Sequence, residues 1–128
     1  MKKLIWILLA ILVFAACGQD KEKKQEAVYV NITAQQAKEM MDNENDYIIL
    51  DTRTQEEYDE SHITGAILIP YDEILEKAEG VLTDKSQLIL VYCRSGRRSK
   101  LAAEDLVKLG YTNIREFGGI IDWPYEVE

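Results

Sequence analysis

Short apolar runs of strand length alternate with helical segments along most of this chain. Five such runs lie at Ala27–Ile32, Tyr47–Asp51, Ala66–Pro70, Leu88–Tyr92 and Asn113–Phe117. Helical patterns lie between and after them, at Ala34–Asn43, in a short acidic segment after Thr54, and at Asp72–Gly80 and Ser99–Leu109. Continuous apolar runs are typical of strands that are covered on both faces. The alternation predicts a three-layer α/β/α sandwich around a mostly parallel sheet of about five strands.

Local signals support the boundaries of these elements. Thr33 and Thr54 are each followed three residues later by Gln36 or Glu57, which is the pattern of a capping box at a helix start. Gly110 is expected to end the last helix. Gly118–Gly119 is expected to mark a tight turn.

The N-terminus predicts export. Lys2 and Lys3 precede the apolar run Leu4–Phe14, and small residues follow, as in a secretory signal peptide; an uncleaved anchor is the alternative. The ending Phe14–Cys17 resembles a bacterial lipobox, which implies lipidation of Cys17. We therefore expect a signal peptide at 1–16, a lipid-anchor cysteine and flexible tether at 17–27, and one folded domain at 28–128. The expected location is extracytoplasmic, with the lipoprotein anchored to the cell membrane.

Charge is distributed unevenly. The chain of 128 residues carries a net charge of −8, which argues against nucleic acid as a partner. Against this acidic background, Arg94, Arg97, Arg98 and Lys100 gather immediately after Cys93. If Cys17 is lipidated, Cys93 has no disulfide partner and remains a free thiol.

Cys93 ends an apolar run and precedes a helix, so it should lie at the carboxyl edge of the sheet, where ligands bind in open parallel sheets. Free amides at a helix N-terminus, the tight turn that Gly96 permits and the positive charges of Arg94, Arg97 and Arg98 favour an anion. The same groups lower a thiol pKa, so we expect Cys93 to be a thiolate at neutral pH. The alternative is an inert cysteine packed as a small apolar residue.

Four motifs occur in the order found in one protein family. Cys93–Arg98 resembles the active-site loop of rhodanese-like sulfurtransferases. Asp51–Arg53 resembles the family's Asp-x-Arg, and Tyr58–Ala66 resembles its Tyr-x-x-x-His-Ile-x-Gly-Ala signature, with Thr64 where proline is frequent. Gly118–Ile120 and Trp123 fit its C-terminal pattern, so the resemblance covers almost the whole predicted domain.

The resemblance implies a thiosulfate-type sulfurtransferase that needs no cofactor. Cys93 would take a sulfane sulfur from a small anionic donor such as thiosulfate, forming a persulfide, and pass it to cyanide, a thiol or a protein cysteine. The substrate-binding residues would be Arg94, Ser95, Gly96, Arg97 and Arg98. Among them, Arg94 and Arg98 are expected to bind the donor, and Arg97 to point outward. The alternatives are a sulfur carrier with little turnover on small donors and a non-catalytic binding module.

Four further residues are expected to support the site. Asp51 is expected to orient the loop, Arg53 to pair with a nearby carboxylate such as Glu56 or Glu57, His62 to be mainly structural, and Ser99 to lie near the start of the helix after the loop. One histidine and one interior cysteine make a zinc site unfavourable. A phosphatase loop of the form Cys-x5-Arg is also disfavoured, because Ser99 stands where its arginine would be.

Overall fold

The computed structural model describes residues 28–128, where five strands and four α-helices alternate. The predicted signal peptide, Cys17 and the predicted tether lie outside these residues. No helix within the described range is long and apolar enough to cross a bilayer. The elements are β1 (Val30–Asn31), α1 (Ala34–Asn43), β2 (Tyr47–Asp51), α2 (Gln55–Glu60), β3 (Ile67–Leu68), α3 (Ile74–Val81), β4 (Leu88–Cys93), α4 (Arg97–Lys108) and β5 (Ile114–Gly119).

The strands form one sheet in the order β1-β5-β4-β2-β3, and all neighbouring pairs are parallel. This architecture confirms the predicted α/β fold. The central strand β4 is buried along its whole length, from Leu88 to Cys93. Its carboxyl end therefore places Cys93 in the middle of one edge of the sheet, between β2 and β5.

Apolar side chains of β4 alternate between two cores, one on each face of the sheet. Ile89 and Val91 pack with residues of α3 and α4, including Ile74 and Leu106. Leu88, Leu90 and Tyr92 pack on the opposite face, with Ala37 of α1, Phe117 and Trp123. Burial on both faces explains why the strand reads as a continuous apolar run.

Both predicted capping boxes are formed. The Thr33 hydroxyl accepts from the Gln36 amide at 3.0 Å. The Thr54 hydroxyl accepts from the Glu57 amide at 3.2 Å, and the Glu57 carboxylate accepts from the Thr54 amide at 3.0 Å. These reciprocal contacts satisfy amides that a helix start would otherwise leave unpaired.

Three predicted boundaries were wrong. Helix α4 begins at Arg97 and not at Ser99, so the segment between β4 and α4 contains only residues 94–96. The segment Tyr71–Glu73 forms a 3₁₀ turn before α3. Gly118 and Gly119 continue β5 instead of forming a tight turn.

Strand β5 contains a bulge beside the end of β4. Val91 lies opposite Glu116, but Cys93, two residues later, lies opposite Gly119. The extra residue on β5 is accommodated by Gly118, whose φ of +87° disfavours a residue with a Cβ atom. The bulge brings the backbone of β5 directly beneath the loop that follows Cys93.

Candidate active site

Cys93 ends β4, and its side chain is enclosed by the backbone that follows it. The residue is only 1% exposed, and it forms no disulfide with any cysteine of the described chain. Its sulfur accepts a hydrogen bond from the Gly96 amide at 3.0 Å. Gly96 makes this return possible because it has a φ of +113° and stands immediately before the first residue of α4.

Several neutral donors surround the Cys93 sulfur. Burial raises the pKa of the Cys93 thiol, but the Ser99 hydroxyl and the amides of Ser99, Gly96 and Ser95 lower that pKa by more. The pKa therefore lies below its ordinary value. The largest favourable contributions come from a hydroxyl and backbone amides at the start of α4, which act on the sulfur at close range.

The loop rests directly on β5. A Cβ atom at Gly119 would overlap the carbonyl group of Arg94 and lie 2.5 Å from the Ser95 nitrogen. The Ile121 amide donates to the Arg94 carbonyl at 3.3 Å. The second glycine of the Gly118–Gly119 pair is therefore required for the close approach of two backbones. This contact sets the distance between the backbone of the loop and the end of β5.

The arginines of the loop and of the α4 start differ in their surroundings. Arg98 is half-buried, and its two terminal nitrogens donate to the Glu57 carboxylate at 2.8 and 3.0 Å. This bond lowers the pKa of Glu57 to about 2, helped by its bonds to Thr54 and opposed by partial burial. Arg94 and Arg97 are exposed and form no ion pair with any residue from 28 to 128. The expectation that Arg97 points outward agrees with this geometry, whereas Arg98, expected to bind the donor, is already held by Glu57.

Arg53 pairs with a nearby carboxylate, as expected, but that carboxylate belongs to Asp51 and not to Glu56 or Glu57. Its guanidinium binds the Asp51 carboxylate through contacts of 2.7, 3.0 and 3.1 Å, and both residues are buried. The reason is spatial, because Glu57 lies on α2 and is used by Arg98. The same Arg53 also donates to the Ser61 carbonyl at 2.7 Å.

Asp51 is joined to β4 by Tyr92. The Tyr92 hydroxyl donates to the Asp51 carboxylate at 2.6 Å and accepts from the Ile63 amide at 3.0 Å. Burial, followed by its bond to Asp51, raises the pKa of Tyr92 far above its ordinary value. The structure therefore places Asp51 in a hydrogen-bond network that connects β2 to β4 and to the segment after α2. The residue of β4 in this network, Tyr92, immediately precedes Cys93.

His62 lies in a structural contact and does not contact Cys93. Its ring stacks on Tyr58 with 3.8 Å between ring centroids, and its Nδ1 lies 2.9 Å from the Tyr58 carbonyl oxygen. Its Nε2 lies 3.4 Å from the Glu128 carboxylate. These contacts agree with the expectation that His62 is mainly structural.

Two carboxylates beside the loop were missed. Glu57 was expected to cap α2 or to pair with Arg53, but not to bind Arg98, and Glu116 was not singled out at all. Glu116 is 1% exposed, and its carboxylate lies 2.5 Å from the Ser99 hydroxyl. A signal was available in the sequence, because an acidic residue interrupts the last apolar run two positions before Gly118. An acidic side chain is rarely buried this fully unless it is paired.

Comparison with known proteins identifies the family. The model of the rhodanese-like domain matches residues 33–124. Thiosulfate sulfurtransferase PspE of Escherichia coli is 40% identical over 73 residues, which cover 57% of this chain and 70% of that protein. The putative sulfur carrier protein YrkF of Bacillus subtilis is 31% identical over 116 residues, which cover 90% of this chain and 62% of that protein.

A solved structure described as a rhodanese with anions from E. coli superposes with a TM-score of 0.60 and 35% identity. The match covers 64% of this chain and 96% of that one. The family model spans more than two thirds of the chain, and the sheet order and the position of Cys93 are consistent with it. The chain belongs to the rhodanese-like domain family.

Proposed function

We propose that the chain is a sulfurtransferase that carries a sulfane sulfur on Cys93. The observation that carries this proposal is the environment of the thiol, which is buried and yet has a pKa lowered by converging amides and a hydroxyl. A cysteine packed only as an apolar residue would have its pKa raised by burial. The names of relatives such as PspE support sulfur transfer as the general activity.

Both steps balance without a cofactor. The Cys93 thiolate attacks the outer sulfur of thiosulfate, a bond forms between the two sulfurs, and the sulfur–sulfur bond of thiosulfate breaks. The electron pair of that bond leaves with sulfite, and Cys93 holds a persulfide anion. Cyanide or a thiolate then attacks the outer sulfur, and the pair of the breaking bond returns to Cys93. Amides that stabilise the thiolate can also stabilise the persulfide anion.

The donor is proposed to meet Arg94 and Arg97. Both side chains are exposed near the loop, whereas Arg98 is bound by Glu57. Exposed guanidinium groups attract a dianion from solution and can hold sulfonate oxygens. This assignment replaces Arg98 with Arg97 as the partner of Arg94 in donor binding.

A second function is a sulfur carrier that accepts sulfur from a protein and shows little turnover on small donors. The similarity to YrkF, whose name is putative sulfur carrier protein, favours it. The two functions share the Cys93 persulfide and differ in how it is loaded.

The test combines turnover with intact-protein mass spectrometry on the full chain in detergent. The first function predicts thiocyanate formation from thiosulfate and cyanide, loss to background in Cys93→Ala, and less than about a twofold change in the matched control Cys17→Ala. A wild-type protein that gains the mass of one sulfur from a persulfide donor, but turns over no thiosulfate, supports the carrier. Absence of any reducible sulfur on Cys93 after both treatments rejects both functions.

We also propose that the domain is held at the outer face of the cell membrane by lipid on Cys17. Support comes from the sequence before residue 28, which resembles a lipoprotein leader. Mass spectrometry of the mature N-terminal peptide should find a diacylglyceryl-modified cysteine. Fractionation should move the Cys17→Ala protein out of the membrane pellet, and retention of that variant in the pellet would reject the lipid anchor.

A further inference from the structure

The carboxylate of Glu57 on α2 binds an arginine at the start of α4. The Nη1 and Nη2 atoms of Arg98 donate to its two oxygens at 2.8 and 3.0 Å. This two-point contact is the geometry in which a guanidinium binds carboxylates and phosphates alike. Glu57 therefore occupies the two nitrogens of Arg98 that an oxyanion from solution would use.

Glu57 is itself held in place from its own helix. Its Oε1 atom also accepts from the amide and the hydroxyl of Thr54, at 3.0 and 3.1 Å, whereas its Oε2 atom accepts only from Arg98 among residues 28–128. The bond to Arg98 lowers the pKa of Glu57 to about 2, against partial burial and with further help from Thr54. The carboxylate is therefore charged at neutral pH, and it is oriented toward Arg98 by contacts that do not involve Arg98.

Arg98 belongs to the turn of backbone that surrounds the Cys93 sulfur. It is the second residue of α4, and it follows Gly96, whose amide donates to that sulfur, by two positions. The bond to Glu57 raises the pKa of Arg98, partial burial lowers it, and the negative charge of Cys93 raises it further. The guanidinium is thus within electrostatic reach of the place where a donor must bring its sulfur. Without Glu57, its two terminal nitrogens would be available to an anion at the loop.

We propose that Glu57 is a positioning residue that keeps Arg98 from binding anions at the Cys93 loop, so that donor recognition falls to Arg94 and Arg97. Glu57 acts through Arg98 and does not contact the donor. The arrangement has a use in sulfur transfer, because thiosulfate and the sulfite that it leaves behind are both anions. A third free arginine would bind both of them more tightly, which lowers KM without raising kcat.

The proposal rests on the proposed function only for the identity of the donor, so its test uses sulfate, an oxyanion with no sulfane sulfur. Alkylation of Cys93 by iodoacetamide is followed on the full chain in detergent at pH 7, with the Cys93 peptide quantified by mass spectrometry. Sulfate is added at constant low ionic strength, balanced with sodium chloride. The measured quantity is the sulfate concentration that halves the alkylation rate.

The variant is Glu57→Gln, which keeps an oxygen for Thr54 and replaces the Oε2 acceptor of Arg98 with an amide nitrogen. The half-protective sulfate concentration should fall about three- to tenfold, which is the effect of a charge-assisted bond that is partly screened by solvent. The matched control is Glu56→Gln, which removes the same charge from an exposed neighbour on α2 and should reproduce the wild type. An unchanged or higher concentration in Glu57→Gln, as loss of a merely structural bond would give, overturns the proposal. An equal fall in Glu56→Gln also overturns it, because sulfate would then respond only to net charge.

A double variant covers failure of Glu57→Gln to fold. Glu57→Gln combined with Arg98→Gln removes the whole ion pair and leaves the net charge of the protein as it is in the wild type. Its half-protective sulfate concentration should lie within about twofold of the wild type, because the bonded Arg98 offers no donor to the anion. A rise beyond that range would show that Arg98 binds the anion in spite of Glu57, and this outcome overturns the proposal.

Turnover separates this inference from the proposed function. In Glu57→Gln the KM for thiosulfate should fall by the same factor as the half-protective sulfate concentration, while kcat does not rise. A sulfate effect without any thiosulfate turnover would reject the small-donor function and leave the role of Glu57 standing. Turnover without a sulfate effect would reject the role of Glu57 and leave the function standing.

Discussion

The carboxyl ends of β2 and β4 lie side by side in the sheet, and they differ in the groups that stabilise a negatively charged side chain there. At the end of β2, Asp51 and Arg53 neutralise each other through three short contacts in a buried position. At the end of β4, the Cys93 sulfur is stabilised by neutral amides and a hydroxyl. Arginine therefore neutralises a buried carboxylate at one strand end, whereas neutral donors lower the pKa of a thiol at the other.

The difference shows which arginines remain available to a ligand. A guanidinium that is buried against a carboxylate has its donors satisfied, so it holds the fold together and offers little to a substrate. Arg53 belongs to this class, and Arg98 is similar because Glu57 binds both of its terminal nitrogens. Arg94 and Arg97 keep their charges at the surface. Changes at these positions should thus separate losses of stability from losses of activity.

The largest effect is expected from Gly119→Ala, a substitution on β5 that would displace the backbone of the loop after β4. The new methyl group would overlap the Arg94 carbonyl, so the loop must rise and the amides that face Cys93 must move. We expect kcat/KM to fall at least about a hundredfold, since displacement of a catalytic group by about 1 Å has effects of that order. Stability should fall by roughly 1–3 kcal/mol, as for other overpacked sites.

The control for that change is Gly80→Ala, on the exposed face of α3, where a Cβ would have no neighbour within 4 Å. Alanine is favoured over glycine in a helix, so stability should rise by about 0.4–1 kcal/mol with activity unchanged. Urea denaturation and steady-state turnover measure both variants. A normal kcat/KM in a folded Gly119→Ala protein would contradict the close contact between Gly119 and the backbone of the loop.

The second prediction concerns the buried ion pair at the end of β2. Arg53→Ala leaves the Asp51 carboxylate buried with Tyr92 as its remaining side-chain donor. Removing one partner of a buried pair costs about 3–5 kcal/mol, so the midpoint of urea denaturation should drop accordingly. The kcat of the folded fraction should change by less than about threefold, because the donors to Cys93 are unaffected.

A second substitution tests the cause of that loss. Asp51→Asn in the Arg53→Ala background removes the uncompensated charge, so the double variant should regain part of the stability. A kcat that falls as steeply as in Gly119→Ala would mean that Arg53 acts in the chemistry, which would erase the contrast between the two strand ends.

The third prediction concerns Glu57, which links α2 to the start of α4 through Arg98. The bond to Arg98 lowers the pKa of Glu57 from an ordinary value of 4.5 to about 2. The carboxylate therefore stabilises the fold above about pH 4.5, and this contribution is lost as the pH falls toward 2. Because the pair is partly exposed, Glu57→Gln should lose only about 1 kcal/mol at pH 7.

Denaturation of wild type and Glu57→Gln at several pH values between 7 and 2.5 measures this difference. The gap between the two proteins should narrow steadily below about pH 4.5. The control is Glu56→Gln, one position away on α2, which is not bonded to Arg98. A gap that stays constant down to pH 2.5 would contradict the assignment of the low pKa to this ion pair.

The fold could be predicted from sequence because its signals are local. Tyr47–Asp51 and Leu88–Tyr92 are continuous apolar runs, and the threonines at positions 33 and 54 mark helix starts that the structure reproduces. The errors occurred where a tertiary contact overrides the local signal. Gly118 and Gly119 look like a turn, but a β-bulge beneath the loop uses their freedom within a strand.

The partners of charged side chains were less predictable than the strand that carries the thiol. Arg53 could reach several carboxylates in sequence, and only the fold shows that it binds Asp51 while Glu57, 41 residues from Arg98, binds that arginine. Such pairings depend on the relative positions of three elements, which no local pattern contains. The position of Cys93 at the carboxyl end of a central strand needed only the order of elements and the rule for open sheets.

The smallest effect is expected from Arg97→Gln, which tests whether exposed arginines at the β4 end recruit the donor. Arg97 lies at the exposed start of α4 and has no ion-pair partner among residues 28–128, so stability should stay within about 0.5 kcal/mol of the wild type. The KM for thiosulfate should rise about two- to fivefold at low ionic strength, with little change in kcat, because an exposed charge acts mainly on the approach and binding of an anion. At 1 M salt the Debye length is about 3 Å, so the difference in KM should nearly vanish.

The control is Lys108→Gln, which removes an equal charge at the far end of the same helix, where the side chain is 68% exposed. It should leave the KM for thiosulfate unchanged. Equal effects of the two substitutions would mean that the donor responds only to the net charge of the protein. An effect confined to Arg97 would assign donor recruitment to the exposed surface around the loop after β4. The end of β2 has no such surface, because the charges of Asp51 and Arg53 are buried against each other.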